Sequence, residues 1–545
     1  MGISGKVRRR ADNAKRSVAQ SRIVLERCSL LYLFVPWFLF LLGWLRPVYS
    51  FPCCILLLLG LQQTTQRGRA ATAPEALSPS HTAAQEKRRH REYPWSRLLL
   101  SAVIALTIAL LSGIGGFGPQ FDHDFQKHNA FLRDLVEQPW PLWYAQTGPE
   151  NTPGFLVTYV AVYLPAALVG KVFGWTAANW ALVLWVATGT LLASQWFLRL
   201  VGTPSLVYVV LLLCFGGMDL LGWLVISAWP QVLKAMAHAP YLDWWTLHAV
   251  RGAAGPVCGN YFLLYSSNTT LLSIGFHHAL PGWIVVLMFL HEALRRRSAT
   301  RLGLLWAAAP IGSAFVALGM TPFVVLAAWQ TRLRGACNFV TFVVSPMLLL
   351  VASLFFLSND GRFVYGWLWE FHKPLSSWPY LLLVFLLEFG VYAVFCPVRF
   401  DDGSWRPWRA WWTLALLCLI AFPLYRVGKA CDFPAKGIIP ALLTLQVILA
   451  ASTARAKSVW REPRMRLFVL LLLIGCAGGI HTIARHAAAG IQFTPVALEE
   501  VPHVNELEPR DIAPQLFSEG DAFFWRVLAR RPSGTPLLEA PAARD

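Results

Sequence analysis

The chain has 545 residues, of which 56% are hydrophobic and 14% charged. A soluble domain of that composition could not cover its apolar surface, so the sequence excludes a freely soluble globular protein and predicts an integral membrane one. The net charge of +18 would point to nucleic acid in a soluble chain; here the basic residues fall in short stretches between apolar runs, where topology explains them and no nucleic-acid partner is needed.

Residues 1–28 form an uncleaved basic arm carrying eight Lys and Arg. Apolar runs at 29–47 and 49–62, joined by RPVYSFP, predict a transmembrane hairpin, so 1–62 reads as one unit. The stretch 63–96 is rich in Ala, Pro, Ser, Thr and charge, which predicts a disordered cytoplasmic linker. Further apolar runs follow at 97–117, 154–173, 176–198, 204–229, 279–294, 302–330, 337–357, 379–397, 409–424, 438–453 and 466–484. They predict an all-α, polytopic transmembrane helical bundle of about 11 to 14 spans, with its core at 97–484, because spanning backbone must satisfy its own hydrogen bonds. Residues 485–545 form a short tail. The ten cysteines are scattered and show no zinc spacing, so they read as packing residues.

Basic clusters at 1–28, 63–97, 295–301, 332–334, 399–409 and 455–466 hold 29 of the 47 Lys and Arg. Assigned to the cytoplasm, they place 118–153, 358–378, 425–437 and the tail on the outer side, with the N-terminus cytoplasmic. This parity requires 302–330 to break near LGMTPF and 204–229 to break near FGGMD, leaving 230–278 outside.

The first large outer segment carries the densest polar chemistry. FDHDFQKH places Asp122, Asp124, Lys127 and His128 directly after an apolar run. HNAFLRDLVEQPWPLWY then spaces Phe131, Leu132, Leu135 and Val136 as an interfacial amphipathic helix, followed by an aromatic belt of Trp140, Trp143 and Tyr144. A carboxylate held above a hydrophobic cavity has a raised pKa, which suits a general base. The same residues also fit a solvated loop with an N-cap and an interfacial anchor.

A second cluster, His277-His278, immediately precedes a Pro-Gly-Trp entry into the next membrane helix; either ring fits a phosphate or a hydroxyl. A third, YRVGKACDFPAKG, gathers Arg426, Lys429, Asp432 and Lys436 between two spans. Positive charge on an outer loop runs against the topological trend and calls for an anionic partner such as a lipid phosphate. Within the spans, Asp219, Glu388 and the His291-Glu292 pair are costly in lipid; Asp219 falls at the expected break, and His291-Glu292, near a cytoplasmic end, reads as structural. No P-loop, dinucleotide fingerprint or G-x-S-x-G is present.

These features resemble the GT-C superfamily of polytopic, polyprenyl-phosphate-sugar-dependent glycosyltransferases. The likeness rests on an acidic opening to the first outer loop (Asp122, Asp124), the QPWPLWY…TPG stretch leading into the next span, and many following spans. The stretches FDHDFQKHNAFLRDLVEQPWP, VTYVAVYLPAALVGK, GFHHALPGW, GKACDFPAKGIIPALL and DAFFWRVLARRP also look like a family of bacterial membrane proteins, over most of 97–530. The resemblance implies an inner-membrane enzyme moving a sugar from a polyprenyl-phosphate donor to a cell-envelope glycan or lipid acceptor on the outer face. Asp122 or Asp124 would then deprotonate or orient the acceptor, while Lys127, His128, His277, His278, Arg426, Lys429, Asp432 and Lys436 would line the phosphate and substrate site. Some members use a divalent metal, to which Asp-His-Asp would lend oxygens; others need no cofactor. Two readings compete: a transporter or flippase built around Asp219, Glu388 and the broken helices, and a membrane acyltransferase or polysaccharide polymerase using His277 or His278 as base.

Overall fold

The computed structural model describes residues 2–70, 95–121, 123–147, 152–227, 241–245, 265–359, 365–371, 378–398, 403, 405–428, 432–456, 462–507 and 516–531. Among them nine helices are long and apolar enough to cross a membrane. These are Ile23–Trp44, Pro47–Gln66, Trp175–Val201, Leu206–Val225, Asn268–Arg296, Ala314–Thr331, Arg406–Leu424, Asp432–Arg455 and Pro463–Ala489. Four shorter apolar helices, Trp95–Leu111, Ala161–Phe173, Val340–Phe356 and Leu381–Phe395, interleave with them. The chain is a largely helical, multi-pass membrane protein.

Apolar character all around a helix marks a central position. The Asn268–Leu290 helix fits that rule: nearly every side chain in it is buried, and Asp432–Arg455 is second in burial among the spans. The N-terminal hairpin is part of this body. The Trp37 indole donates to the Ala308 carbonyl at 3.2 Å, and Gly60 leaves no room for a side chain beside Val344. The helix Pro47–Ala70 also runs on into the stretch expected to begin the linker, because the Thr64 carbonyl is held by the Arg301 guanidinium at 2.6 Å. Residues 71–94, the rest of that linker, lie outside the described residues.

The run 204–229 breaks at Phe215–Met218, within FGGMD. The run 302–330 breaks elsewhere than expected. Its interruption lies at 309–313, where the Ser313 hydroxyl accepts the Val316 N–H and caps the helix Ala314–Thr331. LGMTPF falls inside that helix; a capping serine after Pro-Ile-Gly is the stronger punctuation.

Two small sheets were not foreseen. Strands β1 (Trp143–Thr147) and β2 (Thr152–Leu156) pair antiparallel, and β2 pairs antiparallel with the late β5 (Phe517–Ser518). Strand β3 (Tyr365–Trp367) pairs with β4 (Tyr425–Val427). Strands this short leave little periodicity to read. They gather at one end of the bundle, together with the turn after Trp44, where Arg46 donates to the carbonyls of Arg526 and Ala529. The opposite end carries a buried ion network of Glu26, Glu292, Arg296 and Arg301.

Candidate functional site

The approach to the candidate site is built by glycine. After the Trp95–Leu111 helix the chain turns through Gly113, Gly115 and Gly116, all at positive φ. A side chain on Gly113 would lie 2.6 Å from the Pro119 carbonyl and 2.8 Å from the Phe125 ring, so only glycine permits the reversal there. The following residues are pinned from the far end of the chain: Gln492 N–H donates to the Phe117 carbonyl at 2.7 Å, and Arg485 stacks on Phe121.

Residues His123–Glu137 form the expected helix, but it does not lie free in a headgroup plane. Its apolar face buries Phe131, Leu132 and Leu135 against the bundle. Its other side is covered by the C-terminal segment, which meets Asp134. That carboxylate is fully buried and accepts the Tyr144 hydroxyl at 2.5 Å, the Val504 N–H at 2.9 Å and His503 Nδ1 at 2.5 Å. The aromatic belt is correspondingly drawn inward: Tyr144 is buried, and Trp140 packs on Trp44 and donates to the Leu135 carbonyl. Periodicity identified the helix but could not show a cover arriving from hundreds of residues away.

The start of this helix joins a polar cluster with two distant segments. Lys127 and Asp124, one turn apart, pair at 2.5 Å. The His128 ring lies 5.1 Å from that of His277, and the rings of His277 and His278 are 4.0 Å apart. Tyr159 packs against His278 at 4.7 Å. The charge of Lys436, on the short helix Asp432–Gly437, acts on both Asp124 and His128. That helix comes close because Gly319 has no side chain; a Cβ there would sit 2.0 Å from the Gly437 carbonyl. Lys436 is itself paired with Asp432, one turn earlier.

Of the residues singled out in the sequence, Asp124, Lys127, His128, His277, His278, Asp432 and Lys436 therefore border one region at one end of the bundle. Arg426 stays on β4, buried, with its Nε donating to the Gly428 carbonyl at 3.1 Å beside Asp432. Asp122 and Lys429 lie outside the described residues.

Hydrogen bonding fixes some roles. The His128 Nε2 faces the Ile274 carbonyl at 3.1 Å and so carries the proton, leaving Nδ1 to accept the Tyr163 hydroxyl at 2.6 Å. Burial and the charge of Lys127 push the His128 pKa down to about 4, so the ring is neutral. His278 Nδ1 meets the Ser313 hydroxyl at 2.8 Å. His277 Nδ1 is buried without a hydrogen-bond partner among the described residues. Tyr159, Tyr163, Phe276 and Ser313 pack against these histidines and were not identified from sequence; aromatic and hydroxyl residues in apolar runs give no distinguishing signal there.

One electrostatic expectation reverses. Burial alone would raise the Asp124 carboxyl, but Lys127, by charge and hydrogen bond, with a smaller share from the charge of Lys436, holds it below its ordinary value. Asp124 is thus a carboxylate with little intrinsic basicity.

A metal does not fit this cluster well, since a cation bound at Asp124 would face Lys127 and Lys436. Among the described residues, the group whose ligand atoms converge within 4.8 Å is Asp134, Glu137 and His503. Its oxygens already serve Tyr144, Val504, His503 and Arg133, which makes it a structural clasp.

No protein-family model, no curated protein and no solved structure matches this chain.

Proposed function

We propose that the protein is a bacterial inner-membrane glycosyltransferase of GT-C type, which moves a sugar from a polyprenyl-phosphate donor to a cell-envelope glycan or lipid acceptor on the outer face. The observation that carries this reading is the meeting of Asp124 and Lys127 with His277, His278 and Lys436 at one end of the bundle. Donor phosphate would sit between Lys127 and Lys436, each now paired to a carboxylate that the anion would partly displace. Asp124 would accept a hydrogen bond from the acceptor hydroxyl. As that oxygen attacks the anomeric carbon, the bond from this carbon to the phosphate oxygen breaks, the phosphate keeps the electron pair, and the centre inverts. A weak base suffices when the transition state is oxocarbenium-like and the acceptor proton leaves late. His277, with an open Nδ1, is placed to take that proton onward. The lipid tail would lie along the bilayer-facing helices beside this cluster.

The test is sugar transfer by the purified chain in lipid, with a polyprenyl-phosphate-linked sugar as donor. Asp124→Asn should still express and fold, with a small drop in melting temperature from the lost Lys127 pair, and lose transfer by at least about 100-fold, the scale for a group acting in the transition state. Full activity in that variant, alongside loss in Glu388→Gln, would sink the reading in favour of a transporter. That second reading has its own observation: Asp219 and Glu388 both sit at interruptions of membrane helices.

A further inference from the structure

Strand β3 carries an exposed aromatic face. Burial alternates along it: Tyr365 is 69% exposed and Trp367 44%, while Gly366 between them is buried. The chain then enters the short helix Leu368–Phe371, which buries Leu368 and leaves Trp369 48% exposed. The rings of Trp367 and Trp369 stack with centroids 4.8 Å apart and planes 7° from parallel. The pair is held in place from its other sides. Trp367 pairs with Tyr425 across the strands, the two rings meet at 5.0 Å and 76°, and the Trp367 N–H donates to Glu370 Oε2 at 3.1 Å.

This face adjoins the candidate site. Strand β4 leads through Gly428, whose lack of a side chain leaves room for the Asp432 carboxylate, into the helix that carries Lys436. Aromatic contacts run the same way. Phe422, just before β4, meets Phe433 at 5.1 Å; Phe433 meets Phe315 at 6.3 Å; and Phe315 meets Tyr159, which packs on His278, at 6.2 Å.

An exposed apolar patch of this kind marks a contact surface. At the end of a membrane bundle two occupants fit exposed tryptophan: lipid headgroups and a sugar ring. An interfacial anchor sets an indole at headgroup level beside positive charge. Trp329 does so at the opposite end, 74% exposed and one turn before the exposed Arg332. The Trp367–Trp369 pair instead has the exposed Glu370 carboxylate beside it, which repels phosphate and accepts hydroxyls. Its near-parallel planes also present a flat π face. The axial C–H groups of a pyranose with equatorial hydroxyls form a flat, weakly positive face that matches the negative quadrupole of such rings.

We propose that Tyr365, Trp367, Trp369 and Glu370 form a glycan-binding platform. A neutral, β-linked, gluco-configured chain stacks its pyranose rings on the tryptophans and donates hydroxyl hydrogen bonds to the Glu370 carboxylate. The role of this surface in holding the acceptor rests on the transferase reading. Glycan binding itself does not, and the test reads binding without turnover.

The test is fluorine NMR of the full chain in lipid nanodiscs, with fluorotryptophan incorporated and cellohexaose, a neutral β-linked glucan, as the probe. Trp367→Phe, Trp369→Phe and Trp329→Phe assign the three resonances, and unchanged peaks from the rest of the bundle show that each variant folds. Cellohexaose should shift the Trp367 and Trp369 resonances along saturable curves and leave that of Trp329 in place. Trp369→Ala should weaken binding, followed at Trp367, by about fivefold, the scale of one aromatic contact. Absence of any shift overturns the proposal, as does unchanged affinity in Trp369→Ala. Broadening of the two resonances by a nitroxide-bearing lipid, with no shift from the saccharide, assigns the pair to the membrane interface and overturns it too.

Discussion

The ring of His128, on the helix His123–Glu137, lies 5.1 Å from the ring of His277, inside the central membrane helix Asn268–Leu290. The two differ in what else they hold. His128 uses both nitrogens, on Tyr163 and Ile274, whereas His277 Nδ1 makes no hydrogen bond among the described residues. Replacing His277 by Gln should therefore leave thermal stability nearly unchanged while lowering sugar transfer by about tenfold or more, within the range for a proton-handling group. Replacing His128 by Ala should instead destabilise, by about 1 to 3 kcal/mol, because it orphans the buried Tyr163 hydroxyl. Paired melting and transfer assays separate the two; a stability loss from His277→Gln matching that from His128→Ala would contradict the assignment.

Acidification provides the second prediction. With its folded pKa at about 4 against an ordinary 6.5, His128 binds its proton more readily in the unfolded chain. Its contribution to stability is thus complete above pH 6.5 and is lost as the pH falls towards 4. Asp124, held below the usual carboxylate range by Lys127 and its neighbours, adds a loss of the same sign at more acid pH. Melting temperature followed from pH 7 to pH 4 should decline, and His128→Gln should decline less over that window. A variant whose profile runs parallel to the wild type would show that His128 does not titrate there.

Much of this architecture is legible in the sequence, because a membrane forces apolar runs of a set length. The order of helices, the helix after FDHD and the break at FGGMD all follow from run length, periodicity and paired glycines. Three things did not follow. The break at 309–313 depends on the Ser313 cap, whereas Pro322 is absorbed within the helix. The lowered Asp124 carboxyl rests mainly on Lys127, one turn away, and the further share from Lys436 arises because Gly319 admits the Asp432–Gly437 helix. Asp243 is an isolated acid in the sequence, and it comes near Asp219 because Gly478, beside both, has no side chain. Long-range approach through small residues is the part that a linear reading misses.

The ion network at the opposite end supplies a stability prediction. Arg301 is 3% exposed, contacts Glu26 at 3.2 Å and Glu292 at 3.6 Å, and donates to the Thr64 carbonyl at 2.6 Å. It thereby ties the N-terminal hairpin to the His291–Arg296 turn, where Arg296 also pairs with Glu26 and with Glu292. Truncating one partner of a buried pair leaves an uncompensated charge, which costs about 3 to 5 kcal/mol. Arg301→Met should fall in that range by reversible denaturation in lipid. Adding Glu26→Gln should recover part of it, since the excess negative charge is then gone; no recovery would mean that the Thr64 contact dominates.

The buried Asp134 clasp yields the last prediction. Its three acceptor contacts, to Tyr144, His503 and Val504, fasten the C-terminal segment over the helix whose first turn carries Asp124 and Lys127. Asp134→Ala removes all three and leaves the Tyr144 hydroxyl and Val504 N–H without their acceptor, at a cost of about 1 to 3 kcal/mol for each buried group. The expected consequence is local: amide exchange should accelerate at Val504 and its neighbours and along 123–137, while the central helix Asn268–Leu290 keeps its protection. Transfer should fall although no residue of the cluster has changed, because the Asp124–Lys127 turn loses its fixed position relative to His277 and Lys436. Tyr144→Phe, which deletes one contact and orphans no donor, should show the same pattern at smaller amplitude. Uniform acceleration across the whole bundle in Asp134→Ala would instead mark the clasp as a contributor to global stability alone.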